Sequence, residues 1–180
     1  MPRVALPDAS ELTPEQRRVY DDIGALRRGH VPVHYHAALC NPELADKWQQ
    51  IGELLRYRTS LPLRLSELAI LVTACDQRCD YQWTAHQSIA AKAGVAPDVI
   101  AAIRTGRRPA FTAADEAAVY DFCTMLLQTK FVDDATHARA TAAVGACGIV
   151  ELTALLGYYV MVAMSINAHE LTGAPATAKA

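Results

Sequence analysis

Glu67, Cys79, Gln82 and His86 are the residues whose types and spacing could do chemistry. Glu67 stands among Leu65, Leu68 and Leu71, whose spacing predicts a buried helix. A carboxylate there is costly unless hydrogen bonds or an opposite charge meet it. His86 can meet it. A helix starting near Asp80 puts Cys79, Gln82 and His86 at offsets of three, four and seven, on one face. A helical hairpin brings that face against Glu67. A carboxylate beside an imidazole orients the ring, raises its proton affinity and shuttles a proton near neutral pH, which is general acid–base equipment. The alternative is a buried bridge that ties two helices together. Cys79, at a helix N-terminus near Arg78 and His86, is in surroundings that favour a thiolate; the alternative is a small buried residue.

The elements that position these residues read as helices throughout, because apolar residues recur at three and four and alternating runs are hard to find. After an extended arm of seven residues, Thr13-Pro14-Glu15-Gln16 starts a helix to about Arg28, ended by Gly29. A short helix from His34 to Leu39 and an amphipathic one from Glu43 to Arg58 follow. Ser60-Leu61-Pro62 opens a helix to about Ala74, and Asp76 to Asp80 is a polar break. The next helices run from Tyr81 to Ala93 before Gly94, from Pro97 to Thr105 before Gly106, and from about Ala114 to Thr129. Asp133-Asp134 begins a helix to Val144, and Gly148 precedes a long apolar helix to about Leu171.

The chain has 180 residues, 52% of them hydrophobic, which is enough apolar surface for one well-buried domain and excludes disorder for the bulk. The expected domain is 1–180, with a core of about 12–172 and a frayed tail after Gly173. Seventeen Lys and Arg against nineteen Asp and Glu leave a net charge of -2 and no basic run, so nucleic acid is not an expected partner. Five scattered cysteines and no charged-then-apolar leader point to reduced thiols and a cytoplasmic protein. The stretch from Ile149 to Ile166 is interrupted by Glu151, Thr153 and Ser165 and falls short of the roughly 20 clean residues of a bilayer span. It reads as a buried helix, with no membrane partner. Because it is apolar nearly all round, a subunit interface would cover it, so a homo-oligomer is expected; the other reading is a central core helix.

His34 and His36 flank Tyr35 and are candidates to supply an acid or bind an anionic substrate. A His-x-His pair is also a fragment of metal sites, but on a helix the two rings point about 200° apart, so no metal is expected. Tyr158 and Tyr159 need partners for their hydroxyls, in the site or at an interface. There is no glycine-rich phosphate loop or dinucleotide fingerprint.

Glu67, Cys79, Tyr81, Trp83 and His86, with Ala90 and Gly94 following, resemble the carboxymuconolactone decarboxylase family. The segments Thr13-Pro14-Glu15-Gln16, Val31-Pro32, Asn41-Pro42-Glu43-Leu44-Ala45, Leu61 to Glu67, and Val150-Glu151-Leu152 through Tyr158-Tyr159 are similar to its long single-domain members. The resemblance implies an all-α fold, an antiparallel helical bundle of the alkyl hydroperoxidase D-like type, assembled as trimers or hexamers. Within the family one branch decarboxylates a lactone acid and another reduces peroxides with a cysteine pair. Glu67, Cys79 and His86 fit the peroxidase register, but Gln82 stands at the second cysteine and Tyr81 at an additional relay histidine. Cys75 could substitute only with local unwinding at Asp76 to Asp80, since a four-residue helical offset leaves Cβ atoms about 5–6 Å apart against the roughly 3.8 Å of a disulfide.

The expected function is cofactor-independent lyase or proton-transfer chemistry on a small organic acid or lactone. His86, Glu67 and Cys79 would be catalytic, and Tyr81, Gln82, Trp83, His34 and His36 would bind substrate. Arg64 and Arg78 are the nearby cations that could anchor a carboxylate, or are solvated surface charges. Thiol peroxidase chemistry on Cys79 and a non-catalytic binding member are the alternatives.

Overall fold

The computed structural model describes residues 2–27 and 29–171, so the expected frayed tail lies outside the described residues. Among them there is no strand, and the all-helical reading holds. The helices are α1 (Pro14–Ala25), α2 (Val33–Ala38), α3 (Pro42–Tyr57), α4 (Leu63–Asp76), α5 (Asp80–Lys92), α6 (Pro97–Arg104), α7 (Ala114–Thr129) and α8 (Asp134–His169). Contacts gather in two compact units, one of Met1–Arg58 with Met164–Ala180, the other of Thr59–Ala163.

In the first unit α3 packs on both α1 and α2. Thr13 and Gln16 form a reciprocal capping box at the start of α1, and Pro14 sits where a missing N–H costs nothing. The helix ends at Ala25, short of the expected Arg28, because the Gly29 N–H turns back onto the Gly24 carbonyl with Gly29 at φ +83°. Asn41 caps α3 through the Leu44 N–H.

In the second unit α4 is the centre, packed by α5, α6 and α7. Ten consecutive residues, from Leu65 to Ala74, are buried. Leu68 and Leu71 are fully so, each worth about 2–3 kcal/mol of transfer energy. The first turn of α4 is tied to that of α7 by Arg64, which reaches Asp115 at 2.6 Å and Glu116 at 2.5 Å.

α4 ends in a Schellman motif: the Arg78 N–H donates to the Cys75 carbonyl and the Cys79 N–H to the Ala74 carbonyl, with Arg78 left-handed at φ +51°. Cys79 is at once the end of this motif and the N-cap of α5. The reversal is therefore only three residues long, and α5 returns along α4.

α8 is broken at Gly145 (φ +80°, ψ 170°), a conformation open essentially to glycine alone. The break falls directly after Val144, at the start of the gap expected between Val144 and Gly148. Gly148 is instead helical, where an added Cβ would meet the Val144 side chain at 3.0 Å. By length and composition α8 is apolar enough to cross a membrane, contrary to the expectation that its stretch falls short; half of its most apolar window is buried inside the fold. Glu151 accepts hydrogen bonds from the Ser60 N–H and hydroxyl at 2.8 and 2.6 Å, which explains an acid in this helix.

Candidate functional site

The short reversal between α4 and α5 places Glu67, one turn into α4, opposite His86, in the second turn of α5. Their hydrogen bond, His86 Nδ1 to Glu67 Oε2, is 2.7 Å long. Glu67 is 1% exposed and His86 6%, so the pair is shielded from solvent and from screening by salt. An ionised Glu67 can only accept, so Nδ1 carries the proton and Nε2 of a neutral ring is left as the acceptor. Among the described residues no hydrogen bond is made at Nε2.

The His86 ring also stands edge-on to Tyr159, with centroids 5.2 Å apart at 89°, and Tyr159 meets Tyr158 in the same way. Tyr159 thus belongs to the site. The all-round apolar pattern of its helix left its direction open in the sequence.

Gln82 is one turn before His86 on α5, at the offset that shares a face. It is 2% exposed, and neither its Nε2 nor its Oε1 has a hydrogen-bond partner. Cys79, a further turn back, is buried. Burial pushes its thiol above the ordinary value and the Asp80 charge adds to this, outweighing the N–H groups of Gln82 and Tyr81 that point at the sulfur. The thiolate-favouring surroundings expected from the helix N-terminus are reversed, because the N-cap is dry and the Asp80 charge acts on it.

The other candidates lie elsewhere. Trp83 donates to Gln87 at 3.1 Å and has the Arg104 guanidinium over its ring at 5.1 Å, so it faces α6. Tyr81 is half-buried. Arg64 is taken by Asp115 and Glu116, and Arg78 is exposed at the turn. Cys75 donates to the Ile103 carbonyl and lines a groove of about 210 Å³ with Val72, Tyr120 and Leu127; none of Glu67, Cys79, Gln82 or His86 lines it.

His34 and His36 are in the first unit, both buried on α2. His36 Nε2 donates to the Pro7 carbonyl at 2.6 Å, and the His34 ring is tilted against Trp48 at 5.4 Å. Among the described residues no three His, Cys, Asp or Glu side chains gather as a metal ion would require.

This helical architecture is that of the alkyl hydroperoxidase D-like proteins. The chain is similar to an uncharacterized peroxidase-related protein from Silicibacter sp. TM1040, with a TM-score of 0.80 and 17% identity over 97% of this chain and 92% of that one. A second such protein, an alkylhydroperoxidase AhpD core from Ralstonia eutropha JMP134, gives 0.77 and 15% over 97% and 93%. A cysteine-to-alanine variant of the debrominase Bmp8 in complex with 2,3,4-tribromopyrrole gives 0.75 and 14% over 98% and 95%. No curated protein matches the chain. Residues 42–122, which hold Glu67, Cys79, Gln82 and His86, match the model of the carboxymuconolactone decarboxylase family.

Proposed function

We propose that this protein is an enzyme of carboxymuconolactone decarboxylase-like type that moves a proton to or from a small organic acid or lactone without a cofactor, with His86 as acid–base and Glu67 holding its ring. The observation that carries this reading is the buried 2.7 Å Glu67–His86 bond, which leaves Nε2 unengaged on the helix face of an unpartnered Gln82 amide. In the proton-abstracting direction Nε2 takes a proton from carbon beside a carbonyl. The C–H electron pair passes into the carbonyl as an enolate, and the amide N–H of Gln82 holds the oxygen. In the decarboxylating direction His86 first takes a proton from solvent at Nε2; the bond to a carboxylate carbon then breaks, its electron pair forms the enolate, carbon dioxide leaves, and the imidazolium gives that proton to carbon, returning to the neutral ring.

Family and fold do not choose this chemistry by themselves, since the neighbours include a debrominase and peroxidase-related proteins. The buried, raised thiol of Cys79 and a glutamine at the second cysteine weigh against the peroxidase alternative. We also propose a homo-oligomer, with the exposed stripe of Val150, Gly157 and Met161 on α8 as the subunit contact.

Deuterium exchange tests the reaction. A panel of lactones and keto acids is incubated with the protein in D2O and followed by NMR. The wild type is expected to exchange the proton beside the carbonyl of at least one compound, and His86→Ala to lose that exchange. Equal exchange by His86→Ala, or none by the wild type, would overturn the reading.

A further inference from the structure

Gln82 is the polar side chain that the fold leaves least explained. Its amide is buried at 2% exposure, and both the donor and the acceptor end are unpaired. An amide in that state is matched by a ligand edge that carries an acceptor and a donor side by side. A carboxylate offers only acceptors and would leave Oε1 unpaired.

Charge points the same way. A bound anion would share the face of α5 that carries His86 and its acidic partner Glu67. Among the described residues of the second unit, Arg64 is bound by Asp115 and Glu116, Arg104 by Asp80 and Arg108 by Asp121, while Arg78, Arg107 and Arg139 are exposed to solvent and not buried with the Gln82 amide. In dry surroundings an anion without a cation is strongly disfavoured.

We infer that Gln82 is the specificity-determining residue of the site and that it selects a neutral substrate, a lactone or lactam bearing an N–H or O–H donor next to its carbonyl, over a carboxylate. This rests for its chemistry on the proton-abstracting direction of the proton-transfer reading, which needs no carboxylate and which it favours over the decarboxylating one, but its binding does not depend on it. The Gln82 Nε2 donates to the substrate carbonyl while Oε1 accepts from the neighbouring N–H or O–H.

Three probes of similar size separate the possibilities: 2-pyrrolidinone with acceptor and donor, γ-butyrolactone with acceptor only, and butyrate as the anion. Each is titrated into the 15N-labelled full chain while the Gln82 side-chain amide and the His86 ring are followed by NMR. The lactam is expected to bind about tenfold more tightly than the lactone, the value of one well-made hydrogen bond in a dry site, and butyrate more weakly than either. In Gln82→Met the lactam-over-lactone preference is expected to fall to within about twofold, with the His86 signals retained as a check on folding. Butyrate binding as tightly as the lactam, a preference unchanged in Gln82→Met, or no probe moving the Gln82 amide would overturn the inference. Loss of the preference with deuterium exchange intact would remove this inference alone; the preference without exchange would remove the proton-transfer reading alone.

Discussion

Replacing Gln82 by methionine is expected to make the protein more stable while emptying its site of recognition. Methionine matches glutamine in length and lack of branching, so the swap leaves little cavity and forces little strain. What it removes is an amide held at 2% exposure with both ends unpaired. A buried polar group in that condition costs about 1–3 kcal/mol, and the apolar replacement recovers it. For a chain of 150–250 residues each kcal/mol moves the melting temperature by about 2–4 °C, so the variant should melt roughly 2–12 °C higher. Thermal unfolding by circular dichroism, with urea unfolding to check that the slope is unchanged, measures this directly. A variant that is less stable than the wild type, or equal to it, would show the opposite: an amide satisfied within the fold, with a structural role.

Glu151 is held below the ordinary carboxylate range of 4.5, first by the Ser60 hydroxyl. A depressed acid adds stability that is fully present above the unfolded value and lost as pH falls through the folded one. Glu151→Gln should therefore flatten the stability profile below about pH 4.5, and a parallel profile would contradict the assignment. Thiol titration of the native chain should find Cys40 and Cys147 fast and the buried Cys79 and Cys123 unreactive until denaturant is added; rapid labelling of Cys79 would reopen the peroxidase alternative. Val150→Asp, which puts a charge into the exposed stripe of α8, should lower the mass seen by light scattering while leaving the helical spectrum intact; an unchanged mass would place the contact elsewhere.

The meeting of Glu67 and His86 was legible in the sequence because helical period puts each on a predictable face and a short polar break forces a hairpin. Depth was not legible: the N-cap position of Cys79 follows from the pattern, but how dry it is depends on packing. Arg64 illustrates competition over distance, since its partners Asp115 and Glu116 are some fifty residues away and no local pattern joins them. The break in α8 was legible as a gap between Val144 and Gly148, but composition permits it at either glycine, and only the backbone dihedral tells that Gly145 adopts it. The orphaned state of the Gln82 amide is likewise a property of every neighbour at once, so sequence could put it on the face but not show that it lacks a partner.

In the proposed mechanism a shielded carboxylate fixes the proton on Nδ1 of His86 and leaves Nε2 as the working base. Long-range 1H–15N NMR of the imidazole rings, in the wild type and in Glu67→Leu, tests it most directly. The Nδ1–H form is expected for His86, with a downfield ring proton that exchanges slowly with solvent and is lost in Glu67→Leu. An Nε2–H form in the wild type, or a ring proton unaffected by removing the carboxylate, would contradict it.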